Sequence, residues 1–363
     1  MCMCLKDKKS DNFTFSLQWH VTAKCDQKCK HCYMYDSSTY KSEMENELTF
    51  EKCKQVIDDF VYSLKVLERE GNIVFGGGDP LLRKDFFDIL RYAYDKKISP
   101  IAVMGNSYHL DKETAKRLKE NGVSIYQISL DGMKDIHDLL RKPGSFEDAL
   151  RGFNVLKEAG ITTSCMFTVS KINMHQIIEV IRLASEAGID SFQFDRLVPT
   201  GSGEKLKNET ISPLDYKELL IDIDREYKRL KEKGSKTCFG YKDNLWGLVL
   251  DDNEIAEAIP ILPQEYELIR GCVIGKAGFV VLADGSLMAC RRLPLVVGKV
   301  PENSIIDIIH HSELLKYLKN TVENDLCKVV PGNKNCWGCP AEKYCVSGDF
   351  FTCDPQCWMS KLS

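Results

Sequence analysis

The sequence predicts an α/β fold, a partial barrel of six strand–helix units followed by a cysteine-rich C-terminal domain. Three observations carry this. Apolar runs of strand length alternate with amphipathic stretches of helical period from Phe15 to about Leu197. The segments between the runs are long enough for the crossovers that parallel strands require. Of sixteen cysteines, three fall between positions 25 and 32 and eight between 272 and 357.

Taken in order, a first strand is expected over 15–22 and a helix over 48–69. A short apolar run over 72–75 stops at Gly76-Gly77-Gly78, and a helix over 85–94 follows. Strands are then expected over 98–104, 123–130, 161–169 and 191–197, alternating with helices over 111–121, 145–159 and 174–187. Gly122, Gly160 and Gly188 close those helices, as the C′ position favours. A charged amphipathic helix over 214–233 ends the barrel. The predicted organisation is an N-terminal extension (1–14), a barrel (15–233), an irregular bridge (234–270) and a C-terminal domain (271–363). Within the last, 280–282 and 286–288 flank Ala283-Asp284-Gly285 and read as a hairpin.

Composition narrows the function. The 363 residues are 44% hydrophobic and 28% charged, with net charge −4, ordinary for a globular enzyme. Nothing in that balance calls for nucleic acid or an anionic membrane as partner. No apolar run is long enough to span a bilayer, and the first thirteen residues lack a signal core, so a cytoplasmic protein is predicted. In a reducing compartment, clustered cysteines read as metal ligands rather than disulfides. Cys2, Cys4, Cys53, Cys165 and Cys238 stand apart from the clusters and read as small buried or terminal thiols.

Cys25, Cys29 and Cys32 form C-x3-C-x2-C in the loop after the first strand. Three thiolates this close can hold three irons of a cubane and leave the fourth open. An open iron can take the amino and carboxylate groups of S-adenosylmethionine (SAM), which its reductive cleavage requires. A structural zinc would want a fourth protein ligand, and His31 is too near Cys32 to share one ion with it. At these residues, and over roughly Phe15 to Pro199, the chain resembles the radical SAM superfamily, whose fold is a partial (β/α)6 barrel.

Further motifs extend the resemblance. Gly76-Gly77-Gly78-Asp79-Pro80 is similar to the family's GGEP motif, with Asp79 in place of Glu, and implies a seat for the SAM amino group. Ser129-Leu130-Asp131-Gly132, His137-Asp138, Arg141 and Gly144-Ser145-Phe146 match a string common in one subgroup. By resemblance Ser129 lies near the SAM amino acid moiety, Asp131 contacts the nucleoside and Asn106 the ribose. Thr168-Val169 and Asn173 would help seat adenine. Arg141 has two readings, a pair with the SAM carboxylate or a structural ion pair. His137 reads as structural. No residue is assigned as catalytic base.

The C-terminal cysteines resemble the SPASM domain, an auxiliary iron–sulfur module of peptide-modifying radical SAM enzymes. Cys272, Gly285 and Cys290 give the first half of its pattern, and Cys336-x2-Cys339-x5-Cys345 the second. Where the pattern wants a further cysteine, Asp349 stands, and Cys327, Cys353 and Cys357 are additional. These residues imply one or two auxiliary clusters of the [4Fe-4S] type, with Asp349 a candidate carboxylate ligand. The alternative for the second half is a zinc knuckle.

The resemblance implies an enzyme that generates a 5′-deoxyadenosyl radical. It would modify a ribosomally made precursor peptide, for instance by an oxidative crosslink such as a thioether, with flavodoxin or ferredoxin as reductant. Only about fourteen residues precede the first strand, so leader recognition is expected to use either a separate leader-binding protein or the barrel and bridge. Two alternatives are porphyrin modification, as in haem d1 or alternative haem synthesis, and an anaerobic sulfatase-type maturase. The latter wants an Asp directly after the cysteine at position 290, where Arg291 and Arg292 stand instead. Those arginines read either as partners for substrate carboxylates or as solvated charge. A non-enzymatic metal scaffold would have no use for an open-coordinated cluster.

Overall fold

A computed structural model describes residues 5–7, 14–250, 266–268, 272, 274–324, 338–350 and 352–361. The strands in chain order are β1 (Leu5–Asp7), β2 (Phe15–Thr22), β3 (Gly71–Gly77), β4 (Ile101–Met104), β5 (Val123–Ser129) and β6 (Thr162–Val169). They continue with β7 (Ser191–Arg196), β8 (Cys238–Phe239), β9 (Tyr266–Leu268), β10 (Gly278–Val281), β11 (Ser286–Met288) and β12 (Val296–Lys299). Ten of them form one sheet in the order β12-β11-β10-β2-β3-β4-β5-β6-β7-β8, and β1 pairs with β9 separately.

From β2 to β8 every pairing is parallel, and helices cross between successive strands. Phe15, Leu17, Trp19 and Val21 of β2 are fully buried, which is why the alternating pattern fixes that strand's register. The crossover helices begin where their capping residues sit. The Thr49 side chain accepts from Lys52 N at the start of helix Phe50–Val66. The Asp111 carboxylate accepts from Thr114 N at the start of Lys112–Glu120. Ser212 caps Pro213–Glu232, with proline at the first turn where its missing N–H costs nothing.

The C-terminal region joins this sheet. β10 runs parallel to β2, and β11 returns antiparallel with Val280 opposite Met288, as the hairpin reading expects. The arrangement therefore places C-terminal residues directly beside the loop that follows β2. Buried apolar side chains of both regions, such as Phe15 and Phe279, pack as one core with ring centroids 5.8 Å apart.

Several local expectations shift. The segment expected to be an irregular bridge contains β8, which extends the parallel run beyond six strands. A two-residue strand is too short to show a period in sequence. Helix Tyr40–Glu45 lies unforeseen between the cysteine loop and Thr49. The helix expected from 174 begins as a 3-10 turn, Met174–Gln176, before Ile177–Glu186. Among the described residues no helix is long and apolar enough to cross a membrane.

Candidate functional site

Chemistry in such barrels gathers at the C-terminal ends of the strands, and a cavity lies there. Its lining includes Cys25, Cys29, Cys32, Gly77, Gly78, Asn106, Ser129, Arg141, Asp195, Arg291 and Arg292. The three cysteines occupy the loop leaving β2, whose backbone is tied down at several points. Lys30 N donates to Leu140 O at 2.8 Å, Cys32 N to Cys29 O at 3.1 Å and Ser202 N to Tyr35 O at 2.7 Å.

The thiols themselves are fitted to carry charge. Cys25 Sγ accepts Gln27 N at 3.4 Å and Cys32 Sγ accepts Tyr35 N at 3.3 Å. Arg141 reaches Cys29 Sγ at 3.7 Å. Burial nevertheless pushes the Cys25 thiol up to about 12 and Cys29 to about 11. Such thiols ionise when a metal supplies the compensating charge, so soft donors with N–H and guanidinium support fit an iron–sulfur cluster. Among the described residues no three His, Cys, Asp or Glu side chains gather as around a single metal ion. None of the twelve described cysteines is in a disulfide; Cys53 and Cys165 are buried as expected, Cys238 is half-buried, and Cys2 and Cys4 lie outside the described residues.

The glycine run forms the adjoining wall. Gly77 has φ +129°, and a Cβ there would lie 2.2 Å from Thr22 O. At Gly78 a Cβ would lie 2.0 Å from Lys24 O, so the run passes where only glycine fits. Gly78 N and Asp79 N donate to Thr22 O and Lys24 O, locking the wall to the start of the cysteine loop. Gly76 stands behind it, against Met104. Asp79 is fully buried; its Oδ1 accepts Leu81 N at 3.1 Å and its Oδ2 has no partner. Burial drives its carboxyl up to about 7.

Asp131 is fully buried and forms a hub behind the cavity wall. Oδ2 accepts Arg141 Nε at 2.5 Å and lies 3.1 Å from His31 Nε2, while Oδ1 accepts Thr168 N at 2.7 Å. Burial opposes ionisation, but Arg141 and then His31 outweigh it and hold this carboxyl well below its usual range. Asp131 positions Arg141, whose guanidinium also reaches Cys29 and lines the cavity. Asn173 is likewise engaged: its amide donates to Asp131 O and Thr168 O, both at 2.9 Å. His137 Nδ1 accepts Asp131 N at 3.0 Å in the same buried hub. Asn106 lines the cavity, its amide donating to Asp26 Oδ1 at 2.8 Å.

The opposite wall joins Asp195, which the sequence reading did not single out, to the two arginines that it did. Asp195, near the C-terminal end of β7, accepts Lys242 Nζ at 2.6 Å and lies 3.5 Å from Arg291 and 3.7 Å from Arg292. Burial again opposes ionisation, and Lys242, Arg292 and Arg291 more than offset it. Arg291 and Arg292 are therefore cavity residues, not solvated charge. Next to Asp195, fully buried Arg196 pairs with Asp243 and Asp354, each at 2.7 Å, and ties β7 to the C-terminal segment. The available sequence signal was Asp195-Arg196 itself, a charged pair ending a barrel strand.

Arg292 leads on to the C-terminal cysteines. Its guanidinium reaches Cys339 Sγ at 3.6 Å, and Cys345 Sγ donates to its carbonyl at 3.7 Å. Cys290 lies in the electrostatic field of both thiols. Cys272 is half-buried, Cys357 buried and Cys353 exposed. Asp349 sits on an exposed turn, where its carbonyl accepts Ser347 Oγ at 3.1 Å and Thr352 Oγ1 at 3.2 Å. Cys327 and Cys336 lie outside the described residues.

Known proteins are similar to this chain in sequence and in fold. Residues 19–191 match the radical SAM superfamily, and residues 272–340 match the SPASM iron–sulfur cluster-binding domain. An AdoMet-dependent heme synthase of Methanosarcina barkeri is 29% identical over 345 residues, spanning 94% of this chain and 95% of that protein. Mycofactocin maturase MftC of Mycobacterium tuberculosis is 32% identical over 352 residues, spanning 94% and 82%. The structure of native anSMEcpe with bound AdoMet superposes with a TM-score of 0.72 at 18% identity, over 96% of this chain and 95% of that one. The chain belongs to the radical SAM superfamily and carries a SPASM domain; it is an enzyme whose cofactors are S-adenosylmethionine, a [4Fe-4S] cluster and auxiliary iron–sulfur clusters.

Proposed function

We propose that the enzyme modifies a ribosomally made peptide, by an oxidative change such as a thioether crosslink, at the cavity bounded by Cys25, Cys29 and Cys32 on one side and Arg291 and Arg292 on the other. When bound there, the cluster and SAM supply a 5′-deoxyadenosyl radical. Cys25, Cys29 and Cys32 hold the cluster, and Arg141, fixed by Asp131, offsets its charge beside Cys29. Gly77, Gly78 and Asp79 cradle the amino group of SAM, with Ser129 beside it and Asn106 toward the ribose. Asp79 also has a buried oxygen without a partner, which an ammonium group would satisfy.

The observation that carries the substrate reading is the charge on the opposite wall. Lys242, Arg291 and Arg292 surround the carboxylate of Asp195, and this basic wall can hold a substrate carboxylate. A precursor peptide offers such groups, and the likeness to mycofactocin maturase supports that class. Cys339 and Cys345, reached through Arg292, are ligands for an auxiliary cluster on the substrate's far side. The partners implied are the precursor peptide, a flavodoxin or ferredoxin reductant and a separate leader-binding protein.

A second reading has its own support. The likeness to a heme synthase over nearly its whole length favours a porphyrin, whose propionates would meet the same arginines. The deciding experiment incubates the reduced enzyme and SAM with a candidate precursor peptide or an iron porphyrin and follows mass. Loss of a hydrogen pair from the peptide, coupled to 5′-deoxyadenosine formation, is the expected result. An unchanged peptide together with decarboxylation or side-chain alteration of the porphyrin would overturn the peptide reading.

A further inference from the structure

We propose that Arg292 sets the redox potential of the auxiliary cluster held by Cys339 and Cys345, and that the cavity carboxylate Asp195 opposes it. The inference rests on reading those two cysteines as cluster ligands, and it gives Arg292 a role on the cluster besides its place in the cavity wall.

Arg291 and Arg292 occupy the two central positions of a turn, which Leu293 N closes by donating to Cys290 O at 3.2 Å. The turn sends the two guanidinium groups to different neighbours. Arg291 Nη1 reaches Met104 Sδ at 3.7 Å, and its guanidinium lies 5.4 Å from the centre of the Tyr33 ring, beside the first cysteine loop. Arg292 Nη2 donates to Cys339 Sγ at 3.6 Å, and Cys345 Sγ stands 3.7 Å from the Arg292 carbonyl oxygen. The other nitrogen of that fork, Nη1, lies 3.7 Å from Asp195 Oδ1. One guanidinium therefore faces a ligand sulfur with one nitrogen and the cavity carboxylate with the other.

The potential of an iron–sulfur cluster follows the charge around it and the hydrogen bonds donated to its sulfurs. A reduced cluster carries one more negative charge than its oxidised form. A guanidinium donating to a ligand sulfur favours the reduced form on both counts and raises the midpoint. Arginine stays charged across the working pH range, so this contribution is fixed. Asp195 places a negative charge on the far side of the same guanidinium and offsets part of it. The first cysteine group has the same parts in a different setting. Arg141 reaches Cys29 Sγ at 3.7 Å, but its carboxylate, Asp131, is fully buried behind the wall. Asp195 and Arg292 line the cavity itself. Charge on the cavity wall is thus felt by the auxiliary cluster through Arg292.

The test uses the full chain with Cys25, Cys29 and Cys32 replaced by Ala, so that the iron remaining is auxiliary. Anaerobically reconstituted protein is assayed for iron and sulfide, and its midpoint is read by electron paramagnetic resonance during a redox titration. The signal lost in Cys339→Ala identifies the cluster concerned. Arg292→Gln should keep its iron and move that midpoint to more negative potential. Arg292→Lys, which keeps the charge but loses the fork, should fall between Arg292→Gln and the parent protein. Asp195→Asn should move the midpoint the opposite way. A merely structural role for Arg292 would not produce shifts of opposite sign. An unmoved midpoint in Arg292→Gln, or shifts of the same sign in Arg292→Gln and Asp195→Asn, would overturn the proposal. Should either of these variants fail to take up iron, the other decides alone by the sign of its shift. Full iron in both Cys339→Ala and Cys345→Ala would overturn the cysteine reading itself, whereas their loss of iron beside an unmoved midpoint in Arg292→Gln would overturn only the role of Arg292.

Discussion

The two cysteine regions solve the same electrostatic problem over different distances. In the loop after β2, the three thiols are separated by only a few residues, and most of their support comes from the loop's own backbone. The arginine that serves them is held by Asp131, whose every carboxylate oxygen is engaged. In the C-terminal region the corresponding ties are long-range: Arg196 to Asp354, Arg292 to Asp195, Asn244 to the carbonyl of Gly338. There a buried carboxylate, Glu342, has Arg196 and Arg292 as charged neighbours but no hydrogen-bond partner among the described residues. A short motif can therefore be preorganised by the barrel, whereas the second region depends on barrel residues reaching across to it.

The comparison is broken most severely at Arg196. Arg196→Met would strand Asp243 and Asp354 as buried carboxylates, and removing one partner of such a network costs about 3–5 kcal/mol. Chemical denaturation should show that loss, with earlier proteolysis of the C-terminal segment. A change below about 1 kcal/mol would mean the tie is dispensable.

Asp131 sharpens the other side. Asp131→Asn keeps the shape but removes the charge facing Arg141, with an expected loss of about 3 kcal/mol near neutral pH. The sign of its pH dependence follows from the depressed folded pKa. Near pH ~4 the unfolded chain takes up a proton on this Asp while the folded chain does not. The unfolded state then binds more protons, so stability rises with pH and falls on acidification through that range. Wild-type protein should lose more stability than Asp131→Asn between pH ~6 and pH ~3. Equal losses would show that the carboxylate is not ionised in the hub.

A smaller effect is expected at the shared wall. A charge-assisted hydrogen bond contributes about 1.5–3 kcal/mol, so Arg291→Ala should raise KM for an acidic substrate roughly 10–100-fold. SAM cleavage without substrate should change little. An unaltered KM would remove Arg291 from substrate recognition. At the least sensitive position, Asp349→Ala should leave auxiliary iron and spectra unchanged and stability within about 0.5 kcal/mol. Loss of auxiliary iron there would restore Asp349 as a ligand.

Much of the first region could be read in advance because its determinants are local. The alternation of β2, the capping residues Thr49 and Asp111, and the spacing of Cys25, Cys29 and Cys32 all lie within a few residues of what they specify. The pairing of Asp131 with Arg141 and Thr168 N was less legible, because sequence does not reveal which groups meet in a buried hub. The second region resisted for the same physical reason. The pairing of β10 with β2 joins residues more than 260 positions apart. Arg291 and Arg292 read in sequence equally as substrate partners or as solvated charge, and only tertiary packing places them at the cavity.

The central claim is that the cysteines of the β2 loop hold the cluster that cleaves SAM. It is tested most directly by measuring 5′-deoxyadenosine from SAM and dithionite, with wild type beside the variant in which Cys25, Cys29 and Cys32 are all Ala. Wild type should form 5′-deoxyadenosine and methionine, while the variant should form neither yet retain auxiliary iron. Undiminished 5′-deoxyadenosine formation by the variant would contradict the claim.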